Sequence, residues 1–345
     1  MARFLLFSDV HLFNWNLITL EHQKNCLLNI VRYATNNSIK NLLFSGDIFH
    51  SPSSINTQAM WVWNKFLSEV KRANLSLTGI SGNHDHYFKD GSVTALEAVN
   101  LLPKGRLLYS GDIVTIDGVP VKGFDYIDDK EELKSFLKDS DFPSESILLT
   151  HQGVNGVELN SKGFTLNEAL HPDLIPQNVM HCFSGHYHTN KQVSENLTIP
   201  GALIQHGWGD SSEARGFLDI SIDRGIKISR VCNMNTLSSL FGLEFEKVGF
   251  NQVVDCINSG KFFKSDALNL KVTGIPSEKE FLAVKDSIHL LPGQALSVEY
   301  VTQASTSPEV IKSESFSTVD FFEDYVKSRN LTTEQIAIGK ELVYG

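Results

Sequence analysis

Phe4-Leu5-Leu6-Phe7-Ser8-Asp9-Val10-His11 joins a short apolar run to an Asp-x-His pair, and the same kind of join recurs along the chain. Leu42-Leu43-Phe44 runs into Gly46-Asp47-Ile48-Phe49-His50, and Leu77-Thr78-Gly79-Ile80 runs into Gly82-Asn83-His84-Asp85. Ile147-Leu148-Leu149 leads to Thr150-His151-Gln152-Gly153, and Cys182-Phe183 leads to Gly185-His186-Tyr187-His188. Apolar runs of this length read as buried strands, and in open α/β sheets ligands gather at the carboxyl ends of the strands. The polar endings are therefore expected to converge on one edge.

Helical patterns lie between these joins. Glu21 to Ala34 carries Leu27, Leu28, Val31 and Tyr33, and Asn56 to Ala73 carries Trp61, Trp63, Phe66, Leu67 and Val70. Alternating strands and helices predict a layered α/β domain. Gly111 to Val119 reads as strand and turn, followed by Val121 to Tyr126, and short strands with glycines at the bends fill Leu197 to Ile228. The first domain is expected to span residues 1–235 and to contain a mixed sheet. A smaller unit is expected over 251–302, where alternating Leu268, Leu270 and Val272 precede a helix opened by Pro276-Ser277-Glu278, and Leu296, Val298 and Tyr300 alternate again. That order is β-α-β. Residues 303–316 read as a linker, and 317–345 as a tail of two short helices with capping-box signals at Ser317/Asp320 and Thr332/Gln335.

Composition narrows the function classes. A chain of 345 residues with 41% hydrophobic and 20% charged residues has ordinary globular composition and can bury a substantial core. Its net charge of -10 argues against a broadly basic nucleic-acid-binding surface, so any affinity for DNA should be local, metal-assisted or supplied by a partner. Cys26, Cys182, Cys232 and Cys256 lie far apart with no C-x-x-C spacing, which suggests neither a zinc site nor a disulfide framework and fits a reducing cytosol. The run Phe4–Phe7 is too short for a signal-peptide core, and no stretch approaches a membrane span, so a cytoplasmic protein without a membrane role is expected.

Asp9, His11, Asp47, Asn83, His151, His186 and His188 form a mixed carboxylate, amide and imidazole set with no thiolate near them. Such a set suits Mn²⁺ or Fe²⁺ better than Mg²⁺. Two ions about 3.5–4 Å apart, sharing a bridging carboxylate, can lower the large barrier to phosphodiester hydrolysis. Singly, Asp-x-His or Gly-His-x-His is common in turns; the weight comes from all the joins standing in one order, each after an apolar run.

In that order they resemble the motifs of the calcineurin-like metallophosphoesterase superfamily. Gly46-Asp47-Ile48-Phe49-His50-Ser51, and Pro200-Gly201 followed by Arg215-Gly216-Phe217, are similar to segments of the SbcD-type DNA double-strand-break nucleases, a family that includes the small recombination-nuclease subunit of T4-like bacteriophages. The resemblance covers roughly residues 1–220. It implies a four-layer α-β-β-α sandwich, with a small β-α-β DNA-capping domain and a helical ATPase-binding tail matched in arrangement alone. It also implies that Asp9, His11 and His188 hold one metal, that Asn83, His151 and His186 hold the other, and that Asp47 bridges them. His84 is then the general acid for the leaving oxygen, a role that suits imidazole. Asp85 is placed to orient His84, and His50 to face the substrate and help position His84.

The function so implied is that of a two-metal DNA exonuclease and endonuclease subunit, trimming 3′-to-5′, in a recombination and double-strand-break repair complex. It would use Mn²⁺, act on DNA ends as a homodimer, and join an SbcC-type coiled-coil ABC ATPase through residues 317–345, in the host cytoplasm if phage-encoded. The alternatives are a stand-alone phosphodiesterase acting on small phosphodiesters or nucleotides, and a non-catalytic scaffold. His22, His86, His171, His181, His206 and His289 match no ligand position and read as surface or packing residues, with His86 nearest the site.

Overall fold

The chain divides into two compact units, Met1–Val301 and Thr302–Gly345. A computed structural model describes residues 1–13, 20–53, 55–88, 93–98, 104–109, 111–157, 170–206 and 215–233, and the backbone of three later strands. The helix expected after Pro276, the linker 303–316 and the tail 317–345 lie outside the described residues.

The strand β1 (Ala2–Phe7) is followed by α1 (Leu20–Asn36), β2 (Asn41–Ser45), α2 (Thr57–Arg72), β3 (Ser76–Ile80) and the short α3 (Ala95–Ala98). Then come β4 (Asp112–Ile116), β5 (Val119–Gly123), α4 (Lys130–Asp139), β6 (Ser146–Thr150), β7 (Val179–Ser184), β8 (Lys191–Ser194) and β9 (Leu197–Ile199). The long strands β10 (Gly216–Ile222) and β11 (Ile226–Cys232) come next.

Two mixed sheets result. One has the order β11-β10-β1-β2-β3, with β1, β2 and β3 parallel and β10 and β11 antiparallel; the other has the order β4-β5-β6-β7-β9-β8, with β5, β6, β7 and β9 parallel. The strand period of two sorts the side chains into layers. Phe4, Leu6 and Leu43 point inward to meet Ile147, Leu149 and Phe183 of the second sheet, so the two sheets pack face to face. Their neighbours Leu5, Phe7, Leu42 and Phe44 point the other way, onto Leu27 and Ile30 of α1 and Val62 and Phe66 of α2. Leu148 and Cys182 likewise turn outward onto Leu133 and Leu137 of α4. The architecture is the expected four-layer α-β-β-α sandwich.

Local chemistry sets the helix that supports the site. Asn56 caps α2 by accepting from the Ala59 amide at 2.7 Å, and Ala59, Val62, Trp63, Phe66, Leu67 and Val70 recur at helical spacing as its buried face. Burial of Phe66 alone is worth about 2 kcal/mol. On the opposite layer Asp129 caps α4, accepting from the amides of Glu131 and Glu132.

Three further strands, β12 (Leu243–Gly249), β13 (Leu268–Thr273) and β14 (Leu296–Val301), form a parallel sheet in that order. The parallel β13 and β14 match the alternating segments at 268–272 and 296–300, while β12 stands in a stretch for which no element is expected from sequence. The small sheet therefore begins before residue 251. The run Leu-Glu-Phe-Glu-Lys-Val-Gly alternates only at its start, and pairing with β13 across a register shift supplies what the pattern lacks.

His181 on β7 is a packing residue, as read from sequence. Its Nε2 lies 2.9 Å from Thr198 Oγ1, and burial lowers its pKa from 6.5 to about 4. The unfolded chain takes up this proton first, so the associated stability is complete above pH ~6.5 and declines as pH falls toward ~4, by about 3 kcal/mol in all. His181→Gln is expected to flatten that part of the acid-unfolding curve, measured in chelator so that metal release does not contribute; an unchanged slope would refute it.

Candidate metal centre

Register brings the joins together. Phe7 pairs with Phe44, Ser45 with Ile80, and Thr150 with Ser184, so the parallel strands of each sheet end level and their loops rise from one edge. The loops are then tied to one another by backbone bonds, Val10 and His11 donating to the Asp47 carbonyl and Gly185 donating to Thr150.

Asp9, His11, Asp47 and His186 all have positive φ, between 44° and 84°. Non-glycine residues in this region cost of order 1–3 kcal/mol each and persist where surrounding structure over-determines them. Here the left-handed turn at each strand end directs a ligand side chain back across the edge. Two glycines permit the crowding. Gly46 has φ +92°, and a Cβ there would overlap His151 Nδ1; a Cβ on Gly82 would overlap the Asp47 carboxylate.

Asp47 is the centre of the cluster. Its Oδ2 lies 3.4 Å from His11 Nε2 and 3.2 Å from His151 Nε2, while its Oδ1 accepts from the His84 amide at 2.9 Å. Asp9 Oδ1 lies 4.0 Å from each of the same two imidazole nitrogens. His186 Nδ1 is 3.0 Å from Asn83 Oδ1, and its ring centroid is 5.5 Å from that of His151. On the other side the His11 and His188 rings are 5.3 Å apart. The ligand residues expected from sequence thus stand around the Asp47 carboxylate, with Asp9 equally distant from His11 and His151.

The electrostatics of the cluster follow from this crowding. Burial would raise the Asp47 carboxyl, but the imidazoles of His151 and His11 outweigh it and hold it well below the usual range. Burial raises Asp9, against the pull of His151. Burial also lowers His11 far below its usual value and lowers His186 to about 4, leaving both neutral, the form in which imidazole binds metal. His151 is raised despite burial, because Asp47 and Asp9 face it, and its Nδ1 is fixed 2.6 Å from the Ser45 carbonyl.

A divalent pair fits these residues. Asp9 Oδ2 is a buried carboxylate oxygen without a hydrogen-bond partner, and the ion-pair partners of Asp9 and Asp47 among the described residues are histidines, not Lys or Arg. Two buried carboxylates faced by imidazoles, with neither Lys nor Arg as an ion-pair partner among the described residues, call for a cation. Asp9, Asp47 and His151 can converge on one ion, as can His11, His188 and His206.

The three residues expected to act in catalysis are placed differently from one another. His84 Nδ1 lies 2.7 Å from the His50 carbonyl, and the two rings stack with centroids 5.3 Å apart. His50 therefore contacts His84 through its backbone carbonyl as well as its ring. Asp85 does not contact His84. Its fully buried carboxylate accepts from the amides of Ile48, Phe49 and Gly82, tying the loop after β2 to the loop after β3. Burial, with the Asp47 charge, pushes it up to about 7 against those hydrogen bonds. A short chain cannot turn a side chain onto its neighbour's imidazole while it satisfies three buried amides, and each amide left bare would cost about 1–3 kcal/mol.

Two residues join the site from outside the expected ligand and catalytic set. Arg215, almost fully buried, donates from Nη1 to the His188 carbonyl at 2.5 Å and so braces the last ligand loop. His206 stands 4.8 Å, ring to ring, from both His11 and His188, and its Nε2 is 2.9 Å from the Asp9 carbonyl. As an isolated histidine it carried no signal in the sequence. His86, read as nearest the site, is buried instead 4.0 Å from Asp125.

A sandwich of two mixed sheets whose level strand ends present carboxylate, amide and imidazole ligands around one shared Asp defines a metallophosphoesterase. The chain belongs to the calcineurin-like phosphoesterase family, whose pattern matches residues 2–190. It is 25% identical over 191 residues to exonuclease subunit 1 of Enterobacteria phage T4, covering 54% of each chain. It is 26% identical over 202 residues to the DNA double-strand break repair protein Mre11 of Saccharolobus solfataricus, covering 57% of this chain and 52% of that one. The chain thus matches about half the length of these relatives. Among solved structures, a dimetal phosphatase from Danio rerio superposes with a TM-score of 0.43 at 10% identity, over 66% of this chain and 95% of that one. Members of the family bind divalent metals and hydrolyse phosphoesters. Among the described residues no helix is long and apolar enough to cross a membrane.

Proposed function

We propose that this protein is a two-metal DNA nuclease subunit that trims and cuts DNA ends in recombination and double-strand-break repair. The observation that carries the two-metal part is the Asp47 carboxylate, whose Oδ2 lies 3.4 Å from the His11 imidazole and 3.2 Å from that of His151. Asp9, His11 and His188 would hold one ion, Asn83, His151 and His186 the other, with Asp47 between them. Mn²⁺ is favoured by the imidazole-rich, thiolate-free donors. When bound, the pair supplies Lewis acidity at the phosphoryl oxygens and activates the attacking water.

The chain's own residues do the rest. The His50 carbonyl accepts the Nδ1 proton of His84, which leaves the other ring nitrogen to carry the proton given to the departing sugar oxygen. Asp85 keeps the loops of Asp47 and Asn83 in register.

DNA as substrate is supported by the likeness to two proteins named as an exonuclease subunit and a double-strand break repair protein. On this reading the enzyme removes nucleotides 3′-to-5′ and also cuts internally. The small domain over 251–302 caps the DNA, the tail 317–345 docks on an SbcC-type ATPase in the cytoplasm, and two nuclease subunits pair. With a net charge of -10, the protein takes part of its DNA affinity from that ATPase.

End-labelled duplex DNA, incubated with the purified protein and Mn²⁺, is expected to shorten from its ends and to stay intact in chelator. A chromogenic phosphodiester is run alongside. Hydrolysis of the small ester with no attack on DNA, in the presence as well as the absence of the ATPase, would replace this reading by a small-molecule phosphodiesterase.

A further inference from the structure

His206 lies on the segment that follows β9, eighteen residues beyond the last motif histidine. That segment is not loosely draped over the site. The Leu203 amide donates to the Ser8 carbonyl at 3.0 Å, Asn233 Nδ2 donates to the Leu203 carbonyl at 2.9 Å, and Leu203 and Ile204 are buried in the core under α1 and α2. The imidazole of His206 is thereby brought beside the loop of the first motif, with its ring centroid 4.8 Å from that of His11 and 4.8 Å from that of His188. One nitrogen from each of the three rings falls within 4.8 Å of the others.

The hydrogen bond at Nε2 bears on the tautomer. A carbonyl oxygen can only accept, so the 2.9 Å contact with the Asp9 carbonyl makes His206 Nε2 the protonated nitrogen and leaves Nδ1 with the lone pair. Metal-binding histidines characteristically donate their second ring N–H to a backbone carbonyl or carboxylate, which fixes the ring and raises its basicity. His151 shows the same arrangement within this site, its Nδ1 held by the Ser45 carbonyl and its Nε2 turned to Asp47.

We propose that His206 is an additional imidazole ligand at the metal position formed with His11 and His188, delivered from the segment after β9. The inference rests on the two-metal reading above and deepens it. A third imidazole makes that position richer in nitrogen than the ordered motifs alone provide, and so biases it toward borderline transition ions and away from Mg²⁺.

The full-length protein, labelled with ¹⁵N-histidine and loaded with ¹¹³Cd²⁺, tests this without any substitution. Cadmium coupling is expected at the nitrogens of five imidazoles: His11, His188, His206, His151 and His186. Coupling at the other four without His206 overturns the proposal, and fewer than four overturns the two-metal reading on which it rests. Mn²⁺ titrations followed by EPR supply the second arm. His206→Ala is expected to weaken one of the two ions by about 10–100-fold, with the other unchanged. His206→Gln can keep a hydrogen bond to the Asp9 carbonyl and is expected to stay weak. Wild-type affinity in the Gln variant would show that the ring acts only through Asp9, and wild-type affinity in the Ala variant that it does not act on the metal at all; either result overturns ligation.

Discussion

An Asp47→Asn variant is expected to lose tight binding of both metal ions together and to hydrolyse phosphodiesters at least about 10³-fold more slowly, because the ions' charge stabilisation is worth several kcal/mol at 1.36 kcal/mol per decade. The joint loss follows from geometry. One carboxylate oxygen lies close to both His11 and His151, while the Asp9 carboxylate stands farther off, 4.0 Å from each. Asn keeps the Oδ1 that accepts from the His84 amide, so the loop after β3 should remain in position. The substitution also removes the charge that most strongly raises His151 against its burial, and the His151 pKa is expected to fall. Metal titration and a histidine NMR titration of the metal-free variant check both points. Two Mn²⁺ ions bound at wild-type affinity would refute the bridging role.

His84→Ala should leave metal content unchanged and cost about 10²–10⁴-fold in cleavage of DNA, the usual range for a positioned general acid. Its cost on a p-nitrophenyl diester should be much smaller, because that leaving group departs without a proton. The comparison separates proton donation from any general disturbance of the site, which would depress both substrates alike. His50→Ala provides a graded control. The group that meets His84 Nδ1 is the His50 backbone carbonyl, which the substitution retains, while the stacked ring is lost. A smaller loss than that of His84→Ala is expected; equal losses would mean that the His50 ring has a role of its own in the chemistry.

Much of this arrangement was legible in the chain. The uniform apolar run Phe4-Leu5-Leu6-Phe7 is what a strand buried on both faces requires, with Phe4 and Leu6 between the sheets and Leu5 and Phe7 against the helices. The Asn56 cap and the spacing of Val62, Phe66 and Val70 likewise give α2 its start and its buried face. Residues that closely follow a strand inherit the strand's endpoint, which is why the order of Asp9, Asp47, Asn83, His151, His186 and His188 along the chain points to one edge.

The exceptions share a cause. Asp85 was placed beside His84 on adjacency alone, yet its carboxylate is taken up by three amides, two of them 36 and 37 residues earlier in the chain. His206 reaches Asp9 across 197 residues and Arg215 reaches His188 across 27, contacts that no local pattern specifies. β12 is a strand by virtue of its pairing with β13 more than of its own alternation.

By itself, then, the sequence determined what is encoded locally: which runs form strands, which faces are apolar, and in what order the candidate ligands come. Tertiary structure alone decided which oxygen is shared, which amides claim Asp85 and which imidazole stands beside His11 and His188. Hydrogen bonds and ligand distances depend on positions in space to within a few tenths of an ångström, and it is the packing of two sheets and the register of their strands, not spacing along the chain, that sets those positions.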